Sequence, residues 1–94
     1  MTNDVIARRL QLEAREMDTR PEQFYSARAL RRAAETILSC KESIQDLWES
    51  RGDDYLQQLP GIGERIAERI AGYIRFEKTL DQLKRMTAAV PSRN

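Results

Sequence analysis

Along most of this chain the apolar residues recur every three or four positions, the spacing of amphipathic helices, and two-residue alternation is nowhere sustained. Ile6, Leu10, Ala14 and Met17 form the first stripe and predict a helix over residues 4–17, capped by Thr2 or Asn3. Asp18-Thr19-Arg20-Pro21 reads as a turn, with Thr19 as N-cap, Pro21 in the first helical turn and Glu22 three residues after the cap. A second helix is predicted over 22–38, with Phe24, Ala27, Leu30, Ala34, Ile37 and Leu38 on its apolar face. Ser39-Cys40-Lys41-Glu42 has the form of a capping box and opens a third helix that buries Ile44, Leu47 and Trp48. Gly52 stops it as a C′ glycine does. A short helical turn over 54–58 leads into Leu59-Pro60-Gly61-Ile62-Gly63. Ile66, Ala67, Ile70, Ala71 and Ile74 then predict a helix over 64–75. Thr79 starts a last one, with Leu80, Leu83 and Met86 turned inward. Neither a repeat nor a low-complexity tract interrupts the pattern. The expectation is an all-α domain over residues 1–90, a compact bundle of about five short helices, with 91–94 as a frayed tail.

Composition narrows what such a bundle can do. At 94 residues there is room for one core and no more. Hydrophobic residues at 40% and charged ones at 33% suit a soluble, helix-rich globule. Lys and Arg number 16 against 15 Asp and Glu, a net charge of +1. Any nucleic-acid binding must therefore come from local geometry and not from bulk charge. The chain has no histidine, which removes the usual general base, metal ligand and proton shuttle together. Its one cysteine, Cys40, forms no internal disulfide or cysteine-based metal site; beside Ile37 and Leu38 it reads as a small buried hydrophobe. No apolar run approaches a membrane span or a signal peptide, so the expected partners include no membrane. The expected location is cytoplasmic, with the nucleoid as the site in a prokaryote.

The most specific segment is residues 59–70, Leu-Pro-Gly-Ile-Gly-Glu-Arg-Ile-Ala-Glu-Arg-Ile. Pro60 fixes its own φ, Gly61 and Gly63 permit tight-turn angles, and Ile62 between them anchors the turn in the core. A helix begins at once, and its first amides lack intrahelical partners and carry the positive end of the helix dipole. Two glycines let a bulky anion reach the amides of Gly61, Ile62, Gly63 and Glu64 with no Cβ in the way. Arg65 stands beside the turn and Arg69 lies one helical turn further on, both placed to reinforce a phosphate contact. A bare Pro-Gly turn joins helices in many proteins without a ligand, but every position of this longer pattern is filled.

That string resembles the helix-hairpin-helix motif of sequence-nonspecific DNA-binding proteins. The second helix, with Phe24, Ala27, Arg28, Ala29, Arg31, Arg32, Ala33 and Ala34, resembles a signature of family X DNA polymerases. In those enzymes, DNA polymerase beta among them, it belongs to the N-terminal lyase-type domain that holds the 5′ side of a gap. The likeness spans residues 3–90 and implies a SAM-like helical fold. In the lyase members a lysine on the second helix of the hairpin forms a Schiff base with an abasic sugar; the matching residue here is Arg69. A guanidinium does not deprotonate in proteins and cannot serve as an imine-forming amine. The position of an assisting tyrosine holds Leu30, and a phosphate-holding lysine is replaced by Arg65, a competent anion ligand. The only lysines, Lys41, Lys78 and Lys84, lie outside the motif. The resemblance thus implies binding without catalysis and no catalytic residue. It also implies a monovalent cation, Na or K, held by the carbonyls of Gln57, Leu59 and Ile62, as the one cofactor to expect.

Local charge gives partial support. Residues 20–35 carry four arginines against two glutamates, 57–78 four basic against three acidic, and 41–56 two basic against five acidic. An acidic third-helix region opposite a mildly basic turn would orient the domain on DNA. Arg28, Arg31 and Arg32 are candidate phosphate contacts on the second helix, and Tyr25 beside them is a candidate DNA contact. Trp48 and Tyr55 have core spacing. Arg8, Arg9 and Arg15 intermix with Glu13 and Glu16 and read as surface pairs. Glu64 and Glu68 oppose tight binding, which predicts weak affinity and a shallow salt dependence. The leading expectation is a non-catalytic module gripping DNA backbone at 5′-phosphorylated gaps, nicks or ends, or on a single strand, in repair or replication alongside a repair or replication protein. Two alternatives remain open: a protein-interaction or dimerisation module on the same fold, and a residual abasic-site lyase using another lysine or the N-terminal amine.

Overall fold

Thr2, in extended conformation, accepts a hydrogen bond from the Val5 amide at 3.3 Å and starts α1 (Asn3–Met17). The computed structural model describes residues 1–89, and these are helical apart from turns. A single 3-10 turn (Pro21–Gln23) leads into α2 (Phe24–Ser39), followed by α3 (Ile44–Arg51), the one-turn α4 (Asp53–Leu56) and the long α5 (Glu64–Ala89). Ile6, Leu10 and Ala14 of α1 meet Ala27, Leu30, Ala34 and Ile37 of α2, and small alanines let the two backbones approach closely. Ile44, Leu47, Leu56 and Ile62 close one end of this core, and Ala67, Ile70 and Ile74 of α5 cover the rest. The all-α expectation holds, and one core draws on every helix.

Several local expectations change. The Thr19 hydroxyl does not cap α2; it donates back to the Glu16 carbonyl at 2.9 Å and finishes α1. Arg20 precedes the 3-10 turn, with Pro21 in its first turn and no side-chain cap. The proposed box at 39–42 is not a cap either. Ser39 still belongs to α2, Cys40 turns extended, and Ser43 caps α3 by accepting from the Asp46 amide at 3.2 Å. Gly52 performs its expected task, with φ 82° and its N–H donating to the Trp48 carbonyl at 2.8 Å. Phe24 and Leu38, read as inward, are 53% and 50% exposed at the two ends of α2. Cys40 is partly buried against the core.

The largest difference is α5, 26 residues without a break where two helices were expected. Residues 76–78 contain neither Gly nor Pro, so nothing interrupts the backbone ladder. Thr79 sits in mid-helix and its hydroxyl donates to the Arg75 carbonyl at 3.0 Å. Leu80, Leu83 and Met86 accordingly point outward, at 40%, 52% and 63% exposure. The tail expected at 91–94 lies outside the described residues.

Candidate nucleic-acid interface

The 59–63 turn is fixed from both ends. Leu59 N–H donates to Leu56 O and Ile62 N–H to Leu59 O, each at 3.1 Å. Ile62 is 2% exposed, so its side chain pins the turn into the core as its position implied. Gly61 takes φ 78°, in the left-handed region where only glycine is unstrained. A Cβ there would meet Arg32 Cγ at 3.0 Å, which places the Arg32 stem directly over the turn. Thr36 adds a clamp that the sequence did not disclose, donating from Oγ1 to the Pro60 carbonyl at 2.6 Å. Gly63 differs from Gly61. Its φ is not positive, and a Cβ there would meet nothing within 4 Å. Its role is open space, not conformational freedom.

The Gly63 carbonyl accepts from the Ala67 amide at 2.9 Å, which makes Gly63 the residue that opens α5. Among the described residues no acceptor is recorded for the amides of Gly63, Glu64, Arg65 and Ile66. All four residues line a cleft of about 450 Å³ between the turn and α2. Its walls are Gly61, Gly63, Glu64, Arg65 and Arg69 on one side and Ser26, Ala29 and Leu30 on the other, with Met17 and Ile66 as apolar floor. Five residues that sequence spacing singled out thus line one cleft, Gly61, Gly63, Glu64, Arg65 and Arg69, while Arg32 lies against Gly61 and Ile62 points into the core beneath the turn. No lysine lines the cleft.

The remaining candidates lie elsewhere. Arg31 donates to Asp18 at the end of α1, with Nη1 3.1 Å from Oδ1, so its charge is engaged away from the turn. Hydrogen bonding from Arg31 holds the Asp18 carboxyl below its usual range. Arg28 stands over the Phe24 ring at 5.9 Å, and Tyr25, 82% exposed, meets Phe24 edge-on with centroids 6.0 Å apart. Trp48 and Tyr55 are partly buried; Trp48 Nε1 donates to Asp53 at 2.5 Å, and Arg75 and Arg51 cover the two rings at 5.1 and 4.8 Å.

Arg69 has a partner that the sequence pattern missed. It is ion-paired with Glu13 of α1, which also accepts from the Tyr73 hydroxyl at 2.7 Å. Burial, followed by the adjacent Glu13 carboxylate, pushes the Tyr73 hydroxyl well above the tyrosine range, so it remains a donor. From its position among Arg8, Arg9 and Arg15, Glu13 is expected to find a surface partner within α1. It lies 56 residues from Arg69, and only packing of α1 on α5 brings the two together. Arg9 likewise stacks over Tyr73 at 4.7 Å. A neighbouring cleft of about 520 Å³ shares Arg69 and Met17 but is walled by Glu13 and Glu16, whose charges oppose an anion. The smaller cleft has one acidic residue in its lining, Glu64, against two in the larger.

Comparison with protein-family models finds a match to the helix-hairpin-helix domain over residues 1–79. The chain belongs to that family. Helix-hairpin-helix domains are nucleic-acid-binding modules in general, and the 59–63 turn is the hairpin of this one. No curated protein and no solved structure matches the chain. The family match stops at residue 79, ten residues before the described end of α5. No described helix is long and apolar enough to cross a membrane, and no cluster of metal-ligating side chains forms among the described residues.

Proposed function

We propose that this helix-hairpin-helix domain grips DNA by its backbone without catalysis, and that it favours a 5′-phosphorylated gap, nick or end. The observation that carries this reading is the hairpin cleft of about 450 Å³, lined by the residues of the free helix-start amides, an open glycine, Arg65 and the Glu13-paired Arg69, with room for a phosphate and its adjoining sugar. A phosphate oxygen meets the amides, Arg65 lies within the same wall, and the apolar floor of Met17 and Ile66 accepts the adjoining sugar face. Terminal phosphates fit better than internal ones because a chain end can enter a cleft that a continuous strand must pass over. The likeness of α2 to family X polymerases supports this preference and a setting in repair or replication. Arg69 at the lyase position supports binding without imine chemistry.

The carbonyls of Gln57 and Ile62 accept no hydrogen bond from the described backbone, and the Leu59 carbonyl keeps a lone pair beside the Ile62 amide. These three would hold the Na or K ion that the resemblance implies, which when bound would add a positive charge next to the incoming phosphate.

Titration of a gapped duplex with a 5′-phosphate, the same gap with a 5′-hydroxyl, and an intact duplex, each at two salt concentrations, tests the reading. Tighter binding to the phosphorylated gap, weakened by salt, is the expected result. Equal, salt-independent binding to all three overturns it. Borohydride treatment with abasic DNA is expected to give no covalent adduct.

A further inference from the structure

Ala67, Ile70 and Ile74, all fully buried, mark the face of α5 that covers the core. Two residues beyond Ile74, a rotation of about 200° puts Phe76 on the opposite side, where it is 56% exposed. Leu80 and Leu83 follow after four and three residues, the spacing of a coiled-coil seam. The polar residues that a solvent-facing stripe normally carries are turned elsewhere. Lys78 is ion-paired with Glu49 of α3, and Glu77, at the edge of the stripe, meets the Met1 amine through Oε1 at 3.0 Å, with no partner recorded for Oε2 among the described residues. This half of α5 is therefore apolar on the side facing away from its own core.

We propose that the seam joins two copies of this chain, with their α5 helices antiparallel and Leu80 of each against Leu83 of the other. Charge selects the occupant and the register. Glu77 and Lys84 lie seven residues apart on one flank of the seam, with Thr79 and Met86 on the other. In the antiparallel pair like flanks meet, so each Glu77 faces the second copy's Lys84, twice by symmetry. Sliding one layer, so that Leu80 opposes Phe76, sets Glu77 against Glu77. A parallel pair puts Lys84 beside Thr79 and forms no ion pair. Residues 76–86 extend for about 15 Å, a contact smaller than the roughly 1,200 Å² of a lasting complex. The dimer is accordingly reversible, with dissociation at about 10–100 µM.

Sedimentation of the full chain without DNA, from about 10 to 500 µM, reads this directly. A monomer–dimer equilibrium is expected. Leu83→Lys abolishes it with unchanged helicity and thermal unfolding, because a half-exposed side chain leaves no void. Lys84→Glu weakens association about tenfold, and the double exchange Glu77→Lys with Lys84→Glu restores it. A monomer throughout, a dimer indifferent to Leu83→Lys, or a double exchange no better than the single one overturns the proposal. DNA titration at nanomolar protein reads the hairpin alone, so failure of either reading leaves the other standing.

Discussion

Gly61 and Gly63 stand two positions apart and act through different physics. At Gly61 the backbone itself requires glycine, and the Arg32 stem occupies the space a side chain would need. Gly61→Ala is expected to cost about 1–2 kcal/mol in urea unfolding and to displace Arg32 from the hairpin. At Gly63 neither constraint applies, so Gly63→Val is expected to cost only about 0.5–1 kcal/mol as a poorer N-cap of α5, with helicity retained, and to remove DNA binding by filling the path to the amides. Unimpaired binding by Gly63→Val would exclude the amide cluster as the contact. Glu13 offers the opposite test. Its carboxylate neutralises Arg69, and an incoming phosphate must compete with it. Glu13→Gln keeps an acceptor for the Tyr73 hydroxyl and frees the guanidinium, so DNA affinity is expected to rise about three- to tenfold. No change would mean that Arg69 takes no part.

Between helices the decisive clasp is Asn3. Its Nδ2 donates to the Glu42 carbonyl at 2.8 Å and its Oδ1 accepts from the Ile44 amide at 2.8 Å, tying the start of α1 to the loop that opens α3. These loop groups have few other partners, and Asn3→Ala is expected to lower stability by about 1–3 kcal/mol, measured as a shift in thermal or urea midpoint with helicity retained. Single-chain periodicity located α1, α2 and the buried half of α5 closely, whereas the cap of α3 lies at Ser43, four residues after the Ser39 expected. It placed a boundary at Thr79 because a Thr before Leu80 imitates a helix start. The same hydroxyl satisfies the Arg75 carbonyl from inside a helix, and sequence alone does not separate the two uses.

Taken whole, the molecule is elongated, with extents of 53 × 33 × 19 Å and a radius of gyration of 15.8 Å, against roughly 12 Å for a sphere-like chain of this length. The 26 residues of α5 account for the excess. Its surface ion pairs give an acid-sensitive component to stability. Asp18, hydrogen-bonded by Arg31, and Glu49, hydrogen-bonded by Lys78, both titrate below their ordinary values of 3.8 and 4.5. A carboxyl with a lowered folded value stabilises above the unfolded value and loses that contribution as pH falls through the folded one. Stability is expected to be level from about pH 5 to 7 and to decline below about pH 4, with Asp18→Asn showing a shallower decline in urea unfolding at stepped pH. With a net charge of +1 and one cleft, few phosphates are neutralised. The plot of log affinity against log salt is expected to have a slope of about −2 to −3.

The helical class, the core stripe of α1, most of that of α2, that of the first half of α5 and the glycine turn were readable along the chain. Each depends on contacts within a few residues, where spacing is geometry. What the linear order left open was the pairing of distant charges and the direction of apolar residues lying past the first stripe. Glu13 reaching Arg69, Asn3 closing on Ile44, Arg31 turning to Asp18 and the outward seam of α5 all depend on which helix faces lie together. Helix packing settles that choice, and a polar or apolar residue of given spacing is compatible with either side until it does.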